Sequence, residues 1–160
     1  MPIASGRITP AVNLLSFMDI FDTDKRSDIM KRIKSKNSKS ELLVFRYLRR
    51  RGIYFQKHYK RAPGSPDIAL PRKKRAVFID GDFWHGRTID KIMQKDDINP
   101  YWIEKLHKNM ERDKRQEKEL LDNGWEILRI WDSDLRRKRT APEHLEKIAD
   151  FSLKPLPDEF

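Results

Sequence analysis

The amino-acid sequence predicts an α/β domain, a small mixed β-sheet flanked by helices. Two amphipathic segments, 38–51 and 99–123, carry start and stop signals for helices. Short apolar runs at 67–70, 76–80 and 125–131 read as strands and lie between and after those helices. Strands and helices that alternate in this way build a sheet layered against helices.

The elements follow in order. Residues 1–22 contain Pro2, Gly6 and Pro10, show no sustained period and read as a poorly ordered leader. The domain is expected over 23–152, with a loose tail at 153–160 around Pro155-Leu156-Pro157. Ser27 can cap a short helix carrying Ile29, Met30 and Ile33, which Asn37 and Ser38 interrupt. Ser38 and Glu41 fit a capping box, in which each side chain satisfies a free backbone donor of the first turn. Leu42, Leu43, Phe45, Tyr47 and Leu48 then form an apolar stripe, and Gly52 is the stop. Ile53–Phe55 reads as a short strand and residues 60–66, with Pro63, Gly64 and Pro66, as a loop. The strand Asp67–Leu70 and the buried strand Ala76–Asp80 are joined by a tight basic turn, the pattern of an antiparallel pair. A loop is expected from Gly81 to Asp97. Asn99-Pro100 opens a long helix, a cap residue followed by proline at the first helical position. Its inner face carries Ile103, Leu106, Met110, Leu120 and Leu121, and Gly124 ends it. Trp125–Trp131 is the next strand, and Thr140 with Glu143 suggests a second capping box before a last helix to about Phe151.

Composition narrows the function. A chain of 160 residues suits one domain with one sizeable core. No apolar run approaches the roughly 18 residues of a membrane span, and Ala11–Phe17 lacks the basic start and cleavage site of a signal peptide. With 35 Lys and Arg against 25 Asp and Glu, the net charge of +10 favours a polyanionic partner, of which the phosphate backbone is the commonest. The ordinary alternative is a solvated basic surface. Cysteine is absent, which excludes disulfides and thiolate metal sites and fits a cytoplasmic, nucleoid-associated protein.

Within this basic chain, acids at particular places need a reason. Glu41 sits at a helix start, Asp67 at a strand entry after Gly64-Ser65-Pro66, and Asp80 at the end of the next strand, before Gly81-Asp82-Phe83-Trp84-His85. Carboxylates at the ends of adjacent strands can converge on a divalent cation, which prefers oxygen ligands. Such a cation serves phosphodiester hydrolysis by neutralising phosphate charge and acidifying water. A nearby histidine can take the proton of the attacking water. Each residue also has an ordinary reading: Glu41 as a cap, Asp67 as a turn aspartate, Asp80 and Asp82 as loop starters, His85 as a structural histidine, Phe83 and Trp84 as core aromatics.

The combination, taken in order, resembles the very short patch repair endonucleases, over about Thr23 to Phe151. The matching segments are Arg26-Ser27 with Met30, Glu41, Pro66-Asp67, Val77-Phe78-Ile79 through Phe83-Trp84-His85, Asn109 with Arg112-Asp113, and Gly124-Trp125-Glu126-Ile127-Leu128 through Trp131. The resemblance implies a restriction-endonuclease-like core that nicks duplex DNA at T:G mismatches with Mg2+. It makes Asp67 the magnesium-binding aspartate and Ile79 the residue whose backbone carbonyl helps hold metal. His85 becomes the general base, Asp113 the acid that orients it, and Glu41 the helix acid. Phe83 and Trp84 match an aromatic wedge entering the DNA stack, with Met30 approaching from the other groove. Arg26, Lys31, Arg32, Lys34 and Lys36 are expected on the DNA backbone, and the protein is expected to act as a monomer.

Departures from the family pattern concern the substrate. Repair members bind a structural zinc through His and Cys around the Phe-Trp-His segment and after the late tryptophan. Here those places hold Asp82, Gly86-Arg87 and Ser133, so no structural zinc is expected. Asp80 stands where repair members commonly have histidine. The same core is used by homing and restriction-related nucleases at fully paired sites, and that is the alternative reading. A catalytically silent DNA-binding module would lack one of Asp67, His85 and Asp113, and all are present. The stacking-sheet motif of an RNA-binding domain is absent.

Overall fold

The computed structural model describes residues 36–82, 85–87, 89–94 and 99–156. Among them the order is α1 (Lys39–Arg50), β1 (Gln56–Lys57), β2 (Ile68–Leu70), a 3-10 turn (Pro71–Lys73), β3 (Arg75–Asp80), α2 (Ile89–Met93), α3 (Pro100–Asp122), β4 (Glu126–Trp131), α4 (Asp132–Arg136) and α5 (Ala141–Leu153). The strands form a mixed sheet in the order β1-β2-β3-β4. The first three are antiparallel neighbours, whereas β4 runs parallel to β3, with Val77 beside Leu128 and Ile79 beside Ile130. A parallel neighbour needs a crossover, and the segment containing α3 supplies it. This is the α/β architecture with a restriction-endonuclease-like core that the sequence predicts. No helix among the described residues is long and apolar enough to cross a membrane.

The central strand β3 is apolar on both faces because both are covered. Val77 and Ile79 join Ile68, Leu128 and Ile130 against Val44, Phe45 and Leu48 of α1 and Leu145 and Ile148 of α5. The alternate residues Ala76 and Phe78 pack with Ile127 against Leu120 of α3 and Ala62. The period of two along a strand therefore places α1 and α5 on one face and α3 on the other.

Helices α1 and α3 begin and end as their signals require. Ser38 Oγ accepts from Glu41 N at 3.2 Å and Asn99 Oδ1 from Tyr101 N at 3.0 Å. At the ends, Gly52 N donates to Arg49 O and Ile53 N to Leu48 O; Gly124 N donates to Leu121 O and Trp125 N to Leu120 O. These paired bonds satisfy the last free carbonyls.

Several boundaries differ from the sequence expectation, each for a local reason. Ile53–Phe55 is not a strand: Ile53 N is spent on the end of α1, and pairing starts at Gln56. Trp125 N is likewise spent on α3, so β4 starts at Glu126. Leu121 is exposed, one helical step of about 100° from buried Leu120. The capping box at Thr140 does not form, because its hydroxyl donates to Asp134 O at 2.7 Å. The box at Ser38 is half made: the Glu41 carboxylate accepts from Asn37 N, one residue before the cap. Within the expected 81–97 loop lies α2, and α4 follows β4 without a break. Arg75 is fully buried, and its guanidinium donates to the carbonyls of Ser152, Lys154 and Pro155, holding the end of α5 and the start of the tail against the sheet.

Candidate active site

The approach to β2 is shaped by its backbone. Gly64 has φ +75, and a Cβ there would meet Phe78 at 3.1 Å and Gln116 at 3.2 Å, so a side chain is opposed by conformation and by space. Ser65 follows with φ +48, then buried Pro66. This turn delivers Asp67 to the entry of β2, where its Oδ2 accepts from Ile79 N at 2.7 Å. Ile79 thus meets Asp67 through its backbone.

Two further side chains close on Asp67. Glu41, only 5% exposed in the first turn of α1, presents Oε2 at 3.4 Å from His58 Nε2. His58 Nδ1 lies 3.8 Å from Asp67 Oδ1, and its own N donates to Asp67 O at 3.0 Å. One ligand atom from each of Glu41, His58 and Asp67 lies within 4.8 Å of the others. His58 has φ +46, in the left-handed region that non-glycine residues seldom occupy. Asn37 and Ser65, which border Glu41 and Asp67, share that region. Strained backbone gathered around one cluster is a property of ligand-holding sites.

The electrostatics point the same way. Burial pushes the Asp67 carboxyl up to about 7 against the pull of the Ile79 N–H, with Glu41 and Asp80 adding and His85 opposing. The ionised Asp67 carboxylate lacks compensation here, chiefly because it is buried. Two carboxylates and an imidazole fit a divalent cation, which would supply it.

A second pair stands beside this cluster. His85 Nδ1 lies 2.5 Å from Asp113 Oδ2, joining the loop after β3 to the middle of α3. Burial lowers the imidazole's proton affinity, yet the Asp113 hydrogen bond and the charges of Asp80 and Asp113 outweigh it, so its pKa is raised. Burial works the other way on Asp113, and the bond to His85 outweighs it, holding the carboxyl below its ordinary value. A cavity of about 310 Å³ opens beside the pair, bounded by Ser65, His85, Arg112 and Asp113. Asp80, buried at the end of β3, takes two bonds from Arg129 Nη1 at 3.0 and 2.9 Å. Arg129 also bonds Glu117 at 3.1 Å and stacks over Phe78. Asp80 is thus paired with Arg129, lies 3.8 Å from His85 Nδ1 through Oδ1, and stands outside the Glu41–His58–Asp67 group.

The structure therefore brings Glu41, Asp67 and Ile79 together, and His85 with Asp113. Lys36 is exposed. Arg26, Met30, Lys31, Arg32, Lys34, Phe83 and Trp84 lie outside the described residues. Two members of the site were not read from the sequence. His58 stands in a polar stretch with no spacing that marks it. Arg129 carried a usable signal: a charge inside Ile127-Leu128-Arg129-Ile130 needs a buried partner.

Comparison with known proteins bears on this geometry. Residues 18–91 match the family model described as DNA mismatch endonuclease Vsr. The Type II nicking enzyme V.NmeAIP of Neisseria meningitidis is 39% identical over 130 residues, 81% of this chain and 93% of that protein. The Type II nicking enzyme V.HpaIIP of Haemophilus parainfluenzae is 40% identical over 74% of this chain and 85% of its own length. The DNA mismatch endonuclease Vsr of Escherichia coli is 28% identical over 89% of this chain and 86% of its own length.

Proposed function

The chain belongs to the Vsr family of DNA endonucleases, and from that premise we propose that it nicks one strand of duplex DNA at T:G mismatches, using Mg2+ or a similar divalent cation. The observation that carries the chemistry is the pairing of the Glu41–His58–Asp67 group with the His85–Asp113 pair.

Glu41, His58 and Asp67 would hold the cation, with the Ile79 carbonyl contributing from the strand edge whose N–H meets Asp67. The cation supplies charge neutralisation at the scissile phosphate and acidifies water. Asp113 takes the Nδ1 proton of His85 in a hydrogen bond, which leaves Nε2 as the lone pair that accepts a proton from the attacking water. Arg129 pairs with Asp80 beside them and fixes that carboxylate at the end of β3. Met30, Phe83 and Trp84 are the proposed wedge residues, whose unstacking cost of a few kcal/mol is smaller at a mismatch. Arg26, Lys31, Arg32, Lys34 and Lys36 are proposed phosphate contacts. The working unit is taken to be a monomer on double-stranded DNA.

The test is cleavage of labelled duplexes with Mg2+, one fully paired and one with T:G in varied contexts. A nick confined to the mismatched strand supports the reading. Cleavage of only a paired site supports a second reading, a site-specific nicking enzyme. That reading is favoured by one observation: the Type II nicking enzymes V.NmeAIP and V.HpaIIP are 39% and 40% identical to this chain, against 28% for the mismatch endonuclease of Escherichia coli.

A further inference from the structure

We propose that Arg87 is a positioning residue for this reaction: its guanidinium clamps the loop that carries His85 onto the end of β4 and α4, and so holds the imidazole against Asp113. The inference rests on His85 acting as the base.

The loop leaves β3 at Asp80 and must present His85 to α3, the helix of the crossover. Among the described residues its backbone bonds are local: His85 N to Gly81 O at 3.2 Å, Arg87 N to Asp82 O at 3.1 Å and Ile89 N to Gly86 O at 3.2 Å. Beyond the His85–Asp113 contact, Arg87 adds a tie to the end of β4 and to α4. Its Nη1 donates to Ser133 Oγ at 3.1 Å and to Asp134 Oδ2 at 3.0 Å, and its guanidinium lies over the Trp131 ring at 5.3 Å. Ser133 and Asp134 are buried, at 4% and 9% exposure, so the clamp closes on fixed acceptors and not on mobile surface groups. The Arg87 side chain is itself 36% exposed, so its ion pair adds little stability; what the buried acceptors supply is a fixed position.

One buried atom shows what the guanidinium serves. Among the described residues Asp82 Oδ1 has no hydrogen-bond partner, and Arg87 Nη1, at 3.7 Å, is a cation paired with it. Arg87 therefore sits between an acid of the loop and an acid of α4, neutralising both. His144 Nε2, at 3.9 Å from Asp134 Oδ2, completes the group.

The path from Arg87 to the base is short. Gly86 lies between them with φ +81, and a Cβ there would come within 2.5 Å of Met110 Sδ. The backbone is pressed on α3 at Met110, three residues from Asp113 and on the same helix face. Pulling Arg87 toward α4 seats Gly86 on Met110 and sets His85 opposite Asp113. The planar guanidinium reaches two acceptors and a ring at once, which a lysine ammonium does not reproduce.

The experiment measures single-turnover nicking of the duplex the wild-type chain cuts, DNA affinity and thermal unfolding. It compares wild type with Arg87→Ala, Arg87→Lys and His85→Ala, with and without millimolar guanidinium ion. Arg87→Ala is expected to lose about 10²-fold in rate, as a displaced catalytic group does, while DNA affinity changes less than about two-fold. Guanidinium ion is expected to restore part of that rate, and Arg87→Lys to retain only part of it. A wild-type rate in Arg87→Ala, with His85→Ala inactive, overturns the inference and leaves the active-site reading intact. A wild-type rate in His85→Ala removes the base itself and the inference with it. A rate loss matched by lost DNA affinity, without restoration by guanidinium, assigns Arg87 a structural role and overturns positioning. Should Arg87→Ala melt below the assay temperature, Asp134→Asn is measured in its place, and a folded variant with an unchanged rate is equally decisive against it.

Discussion

His85 Nδ1 and Asp113 Oδ2 face each other at 2.5 Å across 28 residues of chain, and the tautomer of the imidazole follows from that contact. The proton on Nδ1 is held by the carboxylate, so Nε2 is free to accept.

The pH dependence of nicking tests this pair. A base must be neutral to act, so the rate falls as pH drops through the His85 value. Burial lowers that value and the Asp113 bond and charge more than restore it. Asp113→Asn is therefore expected to move the acid limb to lower pH and to reduce the plateau rate by about 10²–10⁴-fold. Single-turnover rates across pH check both; an acid limb that stays in place removes Asp113 as its source.

Asp67 predicts how a cation acts on stability. Its folded-state pKa, about 7, lies above the ordinary carboxylate value because of burial. Ionising it in the cation-free fold costs at most about 1.4 kcal/mol per pH unit between those two values. Stability of the cation-free protein is lost over that window as pH rises. Divalent cation is thus expected to raise the melting temperature more at about pH 8 than at about pH 5. Asp67→Asn is expected to raise the cation-free melting temperature at the higher pH and to abolish the response to cation. Thermal unfolding at both pH values, with and without Mg2+, decides it; a response unchanged in Asp67→Asn locates the cation elsewhere.

His58 predicts metal preference. Imidazole suits transition ions better than it suits Mg2+, so His58→Ala is expected to weaken Mn2+ binding roughly 10-fold or more and Mg2+ binding less. Calorimetric titration of both ions measures the difference. Equal losses for the two ions would mean that His58 orders Glu41 and Asp67 without donating nitrogen.

Gly86 predicts a packing cost. Alanine there meets Met110 Sδ at 2.5 Å and must adopt φ +81, which is expected to cost roughly 1–3 kcal/mol of stability. Met110→Ala in the same chain should relieve the contact but not the backbone strain, recovering only part of the melting temperature. Full recovery would show that the conformation itself is tolerated.

Much of this was legible in the chain. Ser38, Asn99, Gly52 and Gly124 marked the ends of both long helices because capping is a local exchange between a side chain or backbone turn and the nearest free groups. Asp67, His85, Asp113 and Glu41 were legible as an ordered set through their resemblance to a known family, and the fold brings them together in two groups. Boundaries failed where one backbone group had two claims on it: Ile53 N and Trp125 N close helices instead of opening strands. Thr140 failed as a cap because α4, invisible in the local pattern, took its hydroxyl.

What the sequence determined by itself was the α/β class, the two long helices, the antiparallel pair and the acids that stand at strand and helix ends, since propensity, capping and period act within a few residues. What only the tertiary structure decided was partnership across the chain. The parallel placement of β4 put Arg129 on Asp80 instead of in solvent, 49 residues away. A left-handed turn put His58 between Glu41 and Asp67. The seating of residues 85–87 put Arg87 on Ser133 and Asp134. Such contacts depend on burial and on the few ångströms between elements that only packing sets, so no spacing along the chain announces them.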